Sequence, residues 1–292
     1  MTRMLAFVAA LLLTAITVSS ACVASSASPL QFTIEPAHQA GEVKVRFERH
    51  RSGHSENNWE SSFKPSELAG LDLATLNSGG TRPVRFAIVR EAGRVDCAGT
   101  GGNAMARGDC TLTPDEQFNH FLRQHGIAQP TEDQTFGLVA LNVHRDLVQA
   151  LSQAHYPTPT VENLIELTAV DVTPGYISAL AGHGYRPESL DGLVEFAALK
   201  ITPDYIGSFV SAGYGNLRPD DLVQLKALDI TPEFIAGFER IGYRHLPVDT
   251  LVQLKAMDVT PEFVRAVRQG DTLPPPDRLV QLRALGRESR QH

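Results

Sequence analysis

The chain has 292 residues, a formal charge of −7, three cysteines and a single tryptophan. Its acidic balance argues against nucleic acid as a partner, because a phosphate backbone calls for a basic footprint. Three cysteines permit one intramolecular disulfide and leave one thiol over.

The first element is Arg3, an apolar run from Met4 to Val18, and small residues through Ala27. This order reads as a secretory signal peptide, assigned to 1–24, with cleavage after Ala21, Ala24 or Ala27. The run is short for a membrane-spanning helix, which needs about 20 apolar residues. A periplasmic or secreted protein is therefore predicted, and export argues against nucleic acid more strongly than charge does. Ser19-Ser20-Ala21-Cys22 is a poor lipoprotein box, with serine where a branched aliphatic residue is usual. A lipid on Cys22 is the one membrane attachment this pattern allows.

From 28 to 112 the apolar residues alternate. Phe32 and Ile34, then Val43, Val45 and Phe47, then Val84, Phe86 and Ile88 recur at every second position, as in half-buried strands. Gly79-Gly80 and Ala92-Gly93 supply turns, and no helical signal precedes Thr113. A small antiparallel sheet or sandwich is predicted. With Cys22 removed or modified, Cys97 and Cys110 remain as a pair flanking the Gly-rich stretch Ala98 to Gly108. A hairpin centred near Asn103 places them opposite each other, and a non-hydrogen-bonded pair has its Cα atoms about 4.5 Å apart, within disulfide range. In an oxidising compartment they are predicted to be bridged; the alternative is two buried free thiols. Thr113-Pro114-Asp115-Glu116 then reads as a capping box opening a connecting helix, assigned to 113–129, which Gly126 closes.

Residues 130–286 carry a repeat. Thr-Pro recurs at Thr173, Thr202, Thr231 and Thr260, always at the same spacing. In the same step come Tyr156, Tyr185, Tyr214 and Tyr243, and Gly184, Gly213 and Gly242. Within Arg218–Leu246, Pro219-Asp220-Asp221 starts a short helix with a stripe of Leu222, Val223, Leu225 and Leu228. Thr231 and Pro232 then cap and open a second helix that buries Phe234, Ile235, Phe238 and Ile241, and Gly242 supplies a left-handed cap. Each unit is a helical hairpin that gains a core only by stacking, so a continuous array is predicted, with atypical ends and a tail at 287–292. The fold class is α+β: a small antiparallel β domain followed by a solenoid-like helical array.

The segment Leu222-Val-Gln-Leu-Lys-Ala-Leu-Asp-Ile-Thr-Pro-Glu-Phe-Ile235, closing with Ile241-Gly-Tyr243, resembles helical-pair repeats of exported bacterial proteins. Such repeats occur in extracytoplasmic parts of some membrane metallopeptidases of the beta-lactam-sensor type. The strand Val84 to Gly93 and the hairpin after it are similar to a sheet segment that precedes those repeats. The resemblance implies an exported accessory or sensing module. It does not carry over peptidase activity, because the His-Glu-x-x-His motif and the membrane helices of that family are absent from this sequence.

No catalytic constellation emerges from the residues. His50 and His54 have helical metal spacing but follow a strand among Arg51, Ser52 and Gly53, as a solvated loop does. His120 and His125 diverge around a helix. Gly99-Thr-Gly-Gly102 lacks the Lys-Ser/Thr of a phosphate loop, and no Gly-x-Ser-x-Gly elbow exists. No metal, cofactor or enzymatic role is assigned. Two ladders remain. Gln224, Lys226, Gln253, Lys255, Gln281 and Arg283 form a polar stripe, read either as a solvated, self-paired face (Asp229 and Asp258 lie three residues beyond the lysines) or as a track for an acidic or amide-rich segment. The four tyrosines are read as inter-repeat packing. The function expected is binding of an envelope protein through the array. The alternatives are a regulatory accessory of a separate envelope protease, and a glycan-binding or hydrolytic β domain around Trp59.

Overall fold

The computed structural model describes residues 30–36, 41–50, 56–270 and 272–288. The predicted signal peptide, Cys22, His54 and the last residues of the tail lie outside the described residues. The protein is α+β: a six-stranded antiparallel sheet leads into a stack of short helices.

The strands are β1 (Leu30–Pro36), β2 (Val43–His50), β3 (Glu56–Phe63), β4 (Arg82–Arg90), β5 (Gly93–Gly102) and β6 (Met105–Pro114). They lie in the order β3-β2-β1-β6-β5-β4, two meanders joined through β1 and β6. Alternation sorts the side chains as expected: Phe32, Ile34, Val45, Phe47, Phe86 and Ile88 are buried on one face. The opposite face carries ion pairs such as Lys44–Glu60 and Arg94–Asp96. Sequence reasoning missed β3, and it missed a short helix, α1 (Leu73–Asn77), capped by Asp72.

The β5–β6 hairpin turns on Asn103 and Ala104, both at positive φ. Cys97 pairs with Cys110 across the ladder and is disulfide-bonded to it, with the Cα atoms 4.1 Å apart. A bridge closing a loop of this size stabilises by about 3 kcal/mol on the chain-entropy model. The glycines of the hairpin answer to close approach. A Cβ on Gly99 would stand 2.1 Å from the Arg107 carbonyl oxygen, and one on its partner Gly108 would stand 2.2 Å from that of Ala98.

The helices follow as α2 (Glu116–Gln124), α3 (Glu132–Ala140), α4 (Arg145–Gln153), α5 (Val161–Ala169), α6 (Pro174–Gly182), α7 (Leu190–Ala198), α8 (Pro203–Ser211), α9 (Pro219–Ala227), α10 (Pro232–Glu239), α11 (Val248–Ala256), α12 (Pro261–Val267) and α13 (Pro276–Glu288). Thr173, Thr202, Thr231 and Thr260 each accept the backbone N–H three residues on, as N-caps. Every helix from α2 to α11 ends on a residue at positive φ: Gly126, Gly184, Gly213 and Gly242, but also Asn142, His155, Asp171, Lys200, Asp229 and Asp258. Paired bonds such as Tyr243 N–H to Phe238 and Gly242 N–H to Glu239 complete a Schellman motif there.

Two assignments change. β6 runs through Thr113 and Pro114, so Asp115, not Thr113, caps α2 by accepting from Phe118 N–H at 2.6 Å. α2 is also more than a connector. Asp115, Leu122, Gly126 and Ile127 stand one full period before His144, Leu151, His155 and Tyr156, so α2 is a second helix of the array, and β6 occupies the stretch where its first helix would lie. At the far end α13 continues to Glu288, into the predicted tail.

One contiguous set of buried apolar side chains runs from Leu30 to Leu279, so sheet and array share a core. At the junction Phe136 of α3 meets Phe47 at 5.3 Å and Trp59 at 5.9 Å, both edge-on. Buried Arg49 of β2 pairs with Glu132 and Asp133 at the start of α3. Glu91, between β4 and β5, holds His144 and Arg145 at the start of α4.

Candidate functional site: the face of the first helices

The first helices of successive units, α3, α5, α7, α9, α11 and α13, form one row, and their outward positions repeat with the period. One row of exposed residues is acidic: Glu162, Asp191, Asp220 and Asp249. Beside it runs a half-buried aliphatic row, Ile165, Val194, Val223 and Val252. The next exposed row is Glu166, Glu195, Gln224 and Gln253. Neighbouring first helices pack closely along most of the row, but α7 and α9 stand further apart. Between those two lies a groove of about 860 Å³, floored by Val194 and Val223.

The predicted polar stripe divides. Gln224, Gln253 and Gln281 are exposed on this face. The cations are drawn inward onto the preceding repeat. Lys226 lies over the Tyr205 ring (4.5 Å to its centroid), Lys255 over Phe234 (5.1 Å) and Arg283 over Phe263 (5.1 Å). Lys255 also donates to the Asp229 carbonyl oxygen at 2.8 Å, and Arg283 pairs with the Asp258 carboxylate. Among the described residues no side-chain bond within one repeat joins Lys226 to Asp229 or Lys255 to Asp258; the side-chain links cross between units. These cations fasten repeat to repeat, and cation–π contacts of this kind contribute about 0.5–2 kcal/mol each.

The tyrosines do the same on the other side of each hairpin. Tyr156, Tyr185, Tyr214 and Tyr243 are all buried. Tyr214 donates to the Leu246 carbonyl oxygen at 2.8 Å and Tyr243 to that of Pro274, in each case the loop leading into a later helix. Tyr185 is hydrogen-bonded to the Leu217 backbone, at the same place in the period. Tyr156 instead carries the Arg186 guanidinium on its ring, 4.9 Å from the centroid.

A second aromatic set, absent from the sequence-based expectations, is Tyr176 and Tyr205 on the second helices. Burial pushes both phenols up to about 12. Tyr176 donates to the Ile201 carbonyl oxygen at 2.8 Å, whereas the Tyr205 hydroxyl is buried without a hydrogen-bond partner among the described residues. The sign of the linkage is fixed by the raised folded values. Unfolded tyrosine releases its proton near pH 10, the folded groups do so near 12, and so the folded state binds more protons in between. Stability is therefore expected to be intact below pH 10 and to fall as pH rises from 10 toward 12. Parallel titrations of phenolate absorbance at 295 nm and helical ellipticity check this. Tyr176→Phe with Tyr205→Phe should flatten the fall.

Among the described residues no three His, Cys, Asp or Glu side chains converge as a metal site would. His120 and His125 are each engaged locally, with Gln124 and the Phe121 carbonyl respectively. Trp59, around which a glycan site was considered, is half-buried against Phe136 at the junction. Sequence reasoning also missed the acidic row; its signal was there, in a carboxylate recurring once per period from Glu162 to Asp249.

Fold and face together define a sheet-capped helical repeat protein. No known protein family, curated protein or solved structure matches the chain.

Proposed function

We propose that the protein is an exported, non-enzymatic protein-binding module of the bacterial cell envelope, and that the first-helix face of the array is its contact surface. The observation that carries this reading is the face itself. Its exposed carboxylates and amides repeat in step with an aliphatic row over successive helices, and the row opens into a groove at α7 and α9. Stacked repeats make such extended surfaces because each unit adds one more copy of the same outward positions. The signal-peptide pattern and the resemblance to repeats of exported proteins support the compartment. The Cys97–Cys110 disulfide is compatible with an oxidising one.

The test is site-specific photo-crosslinking in cells of the source organism. A photo-reactive residue at Glu166 or Gln224, on the first-helix face, is expected to give a discrete heavier adduct with another protein. The same residue at Thr111 on the outer sheet face, or at Glu239 on α10, is expected to give none. Adducts of equal yield from all four positions, or none from Glu166 and Gln224, would remove the array face as a contact surface.

A further inference from the structure

The groove between α7 and α9 says more about its occupant. Its floor is aliphatic, Val194 and Val223, and its rim carries Glu188, Asp191, Glu195 and Asp220. All four rim carboxylates are exposed, and none has an ion-pair or side-chain hydrogen-bond partner among the described residues. The groove's one cation, Arg218, is spent. Its guanidinium reaches both carboxylate oxygens of Asp221, at 2.8 and 3.2 Å, and those bonds hold the Asp221 carboxyl below its usual range. Arg218 also acts by its charge on Asp220, but one guanidinium against Asp221 and four rim carboxylates leaves the groove net negative above an apolar floor. The lysine of α9 does not offset this charge, because Lys226 is folded onto the Tyr205 ring of the preceding unit, as Lys255 and Arg283 are onto Phe234 and Phe263.

Spacing limits the shape of what fits. First helices that pack directly stand about 8–10 Å apart, whereas α7 and α9 stand further apart and leave room between them for an extended chain. An extended polyproline II segment rises about 3.1 Å per residue with three residues per turn, so every third side chain recurs after about 9 Å. Lying in the groove, such a segment would turn one side chain of every three toward the rim carboxylates Asp191, Glu195 and Asp220, while small residues between them met Val194 and Val223.

We infer that the groove between α7 and α9 docks an extended basic segment of a partner protein, with Lys or Arg at about every third residue. This rests on the protein-binding reading above and specifies the chemistry of the partner. It also reverses the expectation of an acidic or amide-rich occupant, because the cations on which that expectation stood are engaged within the array.

The test uses the full mature protein and fluorescent peptides in anisotropy titrations at low salt. The probes are (Pro-Pro-Lys)4 and its charge-reversed counterpart (Pro-Pro-Glu)4. The lysine peptide is expected to bind, more weakly as salt is raised, and the glutamate peptide not to bind. The triple variant Asp191→Asn, Glu195→Gln, Asp220→Asn is expected to weaken binding about tenfold, because exposed ion pairs are individually modest. A second triple, Glu116→Gln, Asp146→Asn, Glu239→Gln, removes the same charge from exposed positions elsewhere and is expected to leave affinity within about twofold. All six positions are exposed, and circular dichroism checks that both variants fold. Equal weakening by the two triples would mean that net charge alone attracts the peptide, and the groove assignment would fall. Failure of the native protein to bind the lysine peptide would also overturn it. In either case crosslinks from Glu166 or Gln224 would leave the broader protein-binding reading standing.

Discussion

Phe136→Ala is expected to destabilise the protein by about 3–5 kcal/mol and to uncouple the sheet from the array. Large-to-small changes at buried aromatic positions cost that much when the cavity cannot collapse. Phe136 is only 4% exposed, and it is the ring on which Phe47 and Trp59 both stand edge-on. Each aromatic pair adds about 0.5–1.5 kcal/mol beyond its buried area, and one truncation removes both. Other ties cross the junction, since α3 also packs on β4 and β5, Arg49 pairs with Glu132 and Asp133, and Glu91 pairs with Arg145, but none of them fills the space this ring occupies. Trp59 is the chain's only tryptophan, so its emission reports on this junction alone. In urea, the native protein should show Trp59 fluorescence and helical ellipticity changing together. In Phe136→Ala the fluorescence change should come at lower urea than the loss of helix. Coincident transitions shifted by less than about 1 kcal/mol would mean that the shared core does not depend on this ring.

The repeat was legible because its signals are local. A threonine cap, a proline at the first helical position and a glycine at the end of each hairpin act within a few residues, and the structure shows them doing so at Thr231, Pro232 and Gly242. The other left-handed caps were hidden by chemistry. Asp171, Lys200 and Asp229 hold positive φ without being glycine, so only their position in the period marks them. β3 was illegible for a related reason. Its sequence Glu-Asn-Asn-Trp-Glu-Ser-Ser-Phe has just two large apolar residues, and it becomes a strand by pairing Trp59 with Phe47 and Phe63 with Val43 of β2. α1 has five residues and depends on packing against the sheet, so neither periodicity nor length could announce it. The candidate site failed in an instructive way. In sequence Lys226 and Lys255 have Asp229 and Asp258 within reach, but their aromatic partners, Tyr205 and Phe234, belong to the repeat before. With the cations accounted for, the carboxylate row is left as the charge that faces outward.

Excising one whole period, with Arg218 joined directly to Val248, is expected to leave a folded, shorter array, whereas excising about half a period from the same point is expected to collapse its C-terminal part. The whole-period cut keeps every inter-repeat partner in phase. Arg218 occupies the same position before α9 as Pro247 does before α11, both with extended backbone. Lys255 would arrive where Lys226 stood, over the Tyr205 ring, and Tyr214 would find the Pro274 carbonyl oxygen in place of that of Leu246. Leu251 and Leu254, both fully buried, would replace Leu222 and Leu225 in the core. Nearest-neighbour stacking makes such a loss cost one unit's intrinsic and interface energies and nothing more. A half-period cut sets a second helix against positions shaped for a first one. It would bring the Thr-Pro cap of one unit to the left-handed turn of another and strand the buried tyrosines without acceptors. Far-UV ellipticity per residue should be unchanged in the whole-period variant and much reduced in the other. Equal folding of both variants would show that the phase of the repeat does not hold the units together, and the stacked array would lose its physical basis.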